Sequence, residues 1–308
     1  MNKILIPLDG SELAEVALDP AIRLALRHDA GVVLASVVSD LPPVPLASGD
    51  GDLVATWFDE EKERANTYLD RIKTQVQKDH PELKVETRVE MGPVVSTLLA
   101  EAGETGAELV AITTHGRGAW QRAWLGSVAD GLVRKAERPV LLLRGGDRSQ
   151  HLFGEETSPS RIIVPLDGSR ASEQILSPLT SLLPSKGGRV TLVSVLLRPF
   201  PLATTYLPHA VEESNMMEER ERRTEEYLKG VAESWNPLGA EVDTRVMGAD
   251  DVAKALLELV EEEEADLLAL STRGRGGVSR FVLGSVADKL VRGADLPVLA
   301  VRRPPEQD

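Results

Sequence analysis

Ile4 to Ser11 reads ILIPLDGS and Ile162 to Ser169 reads IIVPLDGS, so the chain states one motif twice at an offset of 158 residues. Gly116 and Gly274, Gly126 and Gly284, and Pro139 and Pro297 keep that offset, and GSVAD stands whole at Gly126 to Asp130 and at Gly284 to Asp288. Between these anchors the offset drifts to 159 at Tyr68 and Tyr227 and to 156 at Met91 and Met247, which places the length changes in loops. A duplicated domain is the economical explanation. The length of 308 residues agrees, since a domain takes roughly 150. The polar stretch from Gly145 to Ser160, GGDRSQHLFGEETSPS, has linker composition. Domain boundaries are therefore expected at residues 1–147 and 161–308, with a linker at 148–160.

Within each copy the hydrophobic period alternates between that of a strand and that of a helix. In the first copy Lys3 to Leu8, Val32 to Val38, Leu83 to Glu90, Leu109 to Thr113 and Pro139 to Leu143 read as strands. The third, LKVETRVE, alternates with period two and suits a half-exposed edge. Ser11 to Arg27 reads as one helix, a second carries Ala65, Tyr68, Leu69, Ile72 and Val76 on one face, Pro93 opens a third, and Ser127 to Glu137 is a fourth. Such alternation predicts an α/β fold: two tandem open five-stranded parallel sheets, Rossmann-like, with helices on both faces. In these sheets ligands bind beyond the carboxyl ends of the strands, where the strand order reverses.

Composition narrows the chemistry. Thirty-five Lys and Arg against 49 Asp and Glu leave a net charge of −14, the wrong sign for neutralising a nucleic acid duplex. No cysteine is present, so disulfides, thiol nucleophiles and thiolate metal sites are excluded. The opening MNKILIPLDG has neither a basic nor a long apolar leader region, and no apolar run approaches the roughly 20 residues that span a bilayer, so a cytoplasmic protein with no membrane partner is expected. His28, His80, His151 and His209 are scattered and fit surface or packing roles better than metal ligation.

Two loops per copy carry candidate chemistry. Asp9-Gly10-Ser11 and Asp167-Gly168-Ser169 follow the first strand of each copy, and the residues leave two readings open: helix capping alone, or contact to a ligand as well. After the fourth strand come Thr113-Thr114-His115-Gly116-Arg117-Gly118 with Gly126-Ser127, and Ser271-Thr272-Arg273-Gly274-Arg275-Gly276 with Gly284-Ser285. Glycines admit an anion close to backbone N–H groups, and a Gly-Ser pair opening a helix adds the positive end of its dipole. Neither loop is a dinucleotide fingerprint or a Walker loop, and by themselves these glycines favour a plain surface loop over a phosphate site.

The paired loops, the nine residues between Gly116 and Gly126-Ser127, the ending PVLLLR and the opening LDGS together resemble the universal stress protein family, over both halves. The ATP-binding branch of that family carries Gly, two residues, Gly, nine residues, then Gly-Ser or Gly-Thr. Gly116, Gly126 and Ser127 match it, as do Gly274, Gly284 and Ser285. Thr113 and Ser271 stand where the pattern has its first glycine, and a hydroxyl there either narrows the phosphate pocket or contributes a bond to the nucleotide.

The resemblance implies ATP or a related adenine nucleotide as ligand, with Mg²⁺ as the usual companion of a triphosphate. It places Asp9 and Asp167 near adenine and ribose, and Val37 and Val195 where backbone meets the adenine edge. It also implies an intramolecular pseudo-dimer of the two halves through Pro139 to Leu143 and Pro297 to Val301, and association into a homodimer. No nucleophile–base pair or paired carboxylates are evident, so a stress-response regulator is expected, at most a slow ATPase. The alternative is an interaction protein of the same fold that binds no nucleotide. Trp120 and Trp124 stand opposite Val278 and Val282, and His115 opposite Arg273, so the two sites are expected to differ.

Overall fold

The computed structural model describes residues 1–39, 51–114, 125–145, 153, 159–184, 186–198, 207–272 and 283–302, with 51–52 and 207–214 as backbone only. The chain divides into two compact units, Met1–Glu156 and Thr157–Asp308.

In the first unit the elements run β1 (Lys3–Pro7), α1 (Glu12–Glu15), α2 (Leu18–Arg27), β2 (Gly31–Val38), α3 (Gly51–Asp79), β3 (Val85–Met91), α4 (Val94–Glu104), β4 (Leu109–Thr114), α5 (Ser127–Lys135) and β5 (Val140–Arg144). All strand pairs are parallel, in the order β3-β2-β1-β4-β5. The second unit repeats the plan with β6 (Arg161–Pro165), α6 (Arg170–Glu173), α7 (Leu176–Thr180), β7 (Gly188–Leu197), α8 (Leu207–Ser234), β8 (Ala240–Ala249), α9 (Val252–Glu262), β9 (Leu267–Ser271), α10 (Ser285–Gly293) and β10 (Val298–Val301). Its strands are also parallel, in the order β10-β9-β6-β7-β8.

These α/β sheets are those the alternation predicts. The innermost strands are apolar along their middles because helices cover both of their faces: Ile4, Leu5, Ile6, Val110 and Ala111 are fully buried, as are Ile163, Val164 and Leu268. β3 lies at the end of its sheet, as its period-two pattern requires, and presents Glu86, Arg88 and Glu90 there. The predicted face of α3 is inward, with Leu69, Ile72 and Val76 buried.

One element departs from the expectation. Ser11 to Arg27 is not a single helix: α1 ends at Glu15 and α2 starts at Leu18. In an unbroken helix Pro20 would have to donate an N–H to Val16 and its ring would meet that carbonyl, so the helix breaks and restarts with Pro20 in its first turn. Pro178 breaks the second unit at the equivalent place, between α6 and α7.

Duplication also lets one unit explain the other. A Cβ on Gly131 of α5 would lie 2.6 Å from Val95 Cγ2 of α4, whereas Lys289 and Ala253 occupy the equivalent positions, so bulk on one helix is exchanged for bulk on the other. Gly131→Ala is expected to destabilise: overpacking against a stiff valine costs about 1–3 kcal/mol, more than the roughly 0.5–1 kcal/mol that helix propensity returns. Adding Val95→Ala should turn that loss into a gain over Val95→Ala alone, read from thermal melts of the four-member cycle.

Candidate functional site

Strand order reverses between β1 and β4 in the first unit and between β6 and β9 in the second, so the carboxyl ends of these neighbours flank a crevice. After β1, Leu8 donates its N–H to the Ala35 carbonyl at 2.8 Å and holds the loop against β2. Gly10 then turns the chain with φ +83, which only glycine adopts without strain. Asp9 Oδ1 accepts from the Ser11 N–H at 3.0 Å and from Ser11 Oγ at 2.6 Å, while Ser11 Oγ accepts from the Ala14 N–H at 3.2 Å. The second unit has the same turn, with Gly168 at φ +80 and Asp167 Oδ1 accepting from Ser169 N–H and Oγ at 3.0 and 2.6 Å. The capping reading of Asp-Gly-Ser therefore holds in both copies. It uses one oxygen of Asp9; Oδ2 has no partner among the described residues.

Facing this turn is the start of α5. Gly126 is its N-cap at φ −57, ψ 148, with no side chain capping the first turn, and Gly284 does the same for α10 at φ −58, ψ 145. Any residue adopts those angles, and a Cβ on Gly284 would meet only the Thr272 carbonyl at 3.5 Å, an ordinary contact. Among the described residues nothing requires glycine at this cap. Among the described residues no side chain caps the first N–H groups of either helix, and the helix dipole lies behind them.

A cavity of about 170 Å³ joins these elements in the first unit. Asp9, Val37, Thr113 and the first turn of α5 (Val128, Ala129) line it, together with Leu8, Ala35, Leu98 and Ile112. Three expected residues from three strand ends thus meet in one space. Ser127 is exposed beside it. In the second unit Asp167, Val195, Ser271, Gly284 and Ser285 occupy the equivalent positions at the strand ends and helix start. Gly116 and Gly274 lie outside the described residues, as do His115, Arg273, Trp120 and Trp124. Among the described residues no group of three or more His, Asp or Glu could hold a metal, and no helix is long and apolar enough to cross a membrane.

The sequence reading missed the apolar walls and a pair of polar contacts. Leu98, Ile112 and Val128 read as ordinary core and carry no signal of a cavity. Tyr68 of α3 donates its hydroxyl to Glu15 Oε1 at 3.2 Å, and Tyr227 donates to Glu173 Oε1 at 2.9 Å, tying each long helix to the short helix that follows the Asp-Gly-Ser turn. Both residues of each pair recur in the other copy, which was the available signal. In the first unit Arg71 adds a 3.0 Å ion pair to Glu15 and lies over the Tyr68 ring.

Partial burial raises both phenols well above the usual tyrosine pKa, and the adjacent Glu15 and Glu173 carboxylates raise them further. A pKa raised on folding stabilises fully below the unfolded value near 10 and is lost as pH rises beyond it. Alkaline titration followed by phenolate absorbance is therefore expected to show two late-ionising tyrosines, and stability should fall above pH 10. The double variant Tyr68→Phe, Tyr227→Phe should lack the late phase; its persistence would assign it elsewhere.

Comparisons with known proteins bear on both halves. The universal stress protein family matches residues 1–144 and again residues 159–302. A universal stress protein of Mycolicibacterium smegmatis is 27% identical over 306 residues, covering 97% of this chain and 96% of that protein. One from Mycobacterium tuberculosis is 26% identical over 304 residues, covering 97% of each. Among solved structures, a universal stress protein from Archaeoglobus fulgidus superposes with a TM-score of 0.66 at 18% identity, covering 99% of this chain and 98% of that one.

Proposed function

Because the chain belongs to the universal stress protein family, with the family domain present twice, we propose that each unit binds an adenine nucleotide, ATP or a close relative, at its switch point. The observation that carries this reading is the single cavity into which Asp9, Val37, Thr113 and the uncapped start of α5 converge. Its volume of about 170 Å³ is below the roughly 300–1,000 Å³ of pockets that enclose a whole drug-sized ligand. It suits the flat base, with sugar and phosphates running out along the helix start.

The roles follow from chemistry. Ala35, Val37, Leu98 and Ile112 supply apolar walls for the base, and the backbone at Val37 meets its edge. Asp9 Oδ2 accepts from a ribose hydroxyl. Gly126 and Ser127 bring backbone N–H groups and the helix dipole to the phosphates. Mg²⁺ would neutralise phosphate charge when a triphosphate is bound. The second unit does the same with Asp167, Val195, Gly284 and Ser285.

No described residue pair supplies a nucleophile and base, so the reading is of a binding protein in regulation rather than a catalyst. Recruitment of partners along the outer strands is less favoured, because β3 and β8 carry Glu86, Arg88, Glu90, Glu241, Asp243 and Arg245, charges that discourage strand pairing.

Nucleotide extracted from protein purified without added ligand, with calorimetric titration by ATP, ADP and AMP, tests the reading. Copurified adenine nucleotide, or binding at two sites per chain, supports it. No heat and no thermal shift at millimolar nucleotide would return the chain to the interaction-protein reading. Steady phosphate release from ATP would make it a slow ATPase.

A further inference from the structure

A cleft of about 730 Å³ opens in the second unit where β6, β7 and β8 begin, at the end of the sheet opposite to the switch-point crevice. That volume lies within the roughly 300–1,000 Å³ that encloses a small molecule. Arg161, Lys186 and Arg189 line it with one carboxylate, Glu241, a local excess of positive charge in a chain of net charge −14. The parallel ladder sets Arg161 of β6 beside Arg189 of β7, so two guanidinium-bearing residues share one face on adjacent strands. Like charges so placed repel, and the fold offsets this only in part. Arg161 Nη1 donates to the Glu263 carbonyl at 3.0 Å and to Glu264 Oε2 at 2.9 Å, and Arg189 Nε lies 3.4 Å from Asp243 Oδ2. These ion pairs are exposed and contribute little, and they use few of the five N–H donors on each guanidinium. Lys186 is exposed and has no ion-pair partner among the described residues.

The first unit shows that folding does not call for these cations. There Lys3 of β1 lies beside Gly31 of β2, and Glu86 neutralises it at 2.6 Å. His28 and Asp29 stand where the second unit has Lys186 and Gly187, so one copy carries a carboxylate at the turn and the other a bare backbone at φ +78. We propose that the cleft at the amino ends of β6, β7 and β8 binds a small phosphorylated molecule. Arg161, Lys186 and Arg189 take the phosphate through charge-assisted hydrogen bonds, and Glu241 on the far strand accepts from hydroxyl groups on the body of the ligand. A bound dianion would also relieve the repulsion between the two arginines. Removing one cation should therefore weaken binding without weakening the free protein, which a structural ion pair does not do.

The experiment is an amide-shift titration of the isotope-labelled full chain with inorganic pyrophosphate at low salt, beside thermal melts without ligand, for the parent, Lys186→Gln and Arg189→Gln. Saturable shifts are expected at Lys186, Gly187, Gly188 and Gly239, with a dissociation constant of about 1 mM or below. They are read separately from Gly126 and Gly284, which report the nucleotide crevices at the other end of each sheet. Each variant should weaken the pyrophosphate site by about tenfold or more and leave the ligand-free melting temperature equal or higher. Shifts that do not saturate, or that appear equally at Lys3, His28 and Asp29 of the first unit, would reduce the contact to counter-ion screening and overturn the proposal. Loss of binding together with a lower melting temperature in both variants would make the cations structural and overturn it as well. Flotation of the parent with phosphatidylglycerol vesicles, abolished by the same two substitutions and without pyrophosphate binding, would assign the cations to a lipid surface instead of a free ligand.

Discussion

Gly284→Leu is expected to lower nucleotide affinity in the second unit by a hundredfold or more and to reduce the sites per chain from two to one. The glycine sits at an N-cap whose backbone angles suit any residue, and the described residues around it leave room for a Cβ. What an isobutyl group removes is the open approach to the first N–H groups of α10. The ligand-free fold should lose no more than about 1 kcal/mol, the difference between a good and a poor cap. At a ligand concentration of 100 times the dissociation constant, a parent site gains about 2.7 kcal/mol of stability from binding. The variant site should gain none, a contrast visible in melting temperature. Undiminished binding would remove Gly284 from the site, and a collapsed fold would make its role structural. Gly126→Leu should do the same in the first unit.

Leu5→Ala should have the largest effect on stability. Leu5 is fully buried on β1, paired with Val33 of β2 on one side and Val110 of β4 on the other. Truncation removes transfer energy and leaves a gap between layers that are already close-packed, so a loss of about 2–5 kcal/mol is expected. For a unit of this size that is a fall on the order of 10 °C in melting temperature. Ile163→Ala is the matching test in the second unit, since Ile163 holds the same place between β7 and β9. A loss under about 1 kcal/mol would show that neighbouring side chains close the gap and that the central strand is not the rigid support of the crevice.

Strands were easy to read because both faces of a covered parallel sheet demand apolar residues, and short unbroken runs such as ILIP and LVAI leave no competing period. The break between α1 and α2 was also written in the sequence, at Pro20 and Pro178, but the amphipathic pattern ran on across it and concealed the stop. Polar site residues were legible as repeated identities at loop positions: Asp9 with Asp167, Gly126 with Gly284. Leu98, Ile112 and Val128 were not, because the same residue type serves a packed core and a cavity wall, and only the three-dimensional spacing tells them apart. Tyr68 and Glu15 were each repeated in the other copy, yet they lie 53 positions apart and nothing local joins them.

The Asp-Gly-Ser turn has an evolutionary consequence. Asp9 and Ser11 cap a helix and Gly10 supplies a left-handed bend, so selection for folding alone preserves all three. A copy released from ligand duty by the duplication would keep this signature indefinitely while drifting elsewhere. Gly284 has no such protection from the described residues, among which a Cβ there meets only the Thr272 carbonyl. Among descendants of such a duplication, the helix-opening glycine would be the first mark of a silent site to erode, and the aspartate among the last.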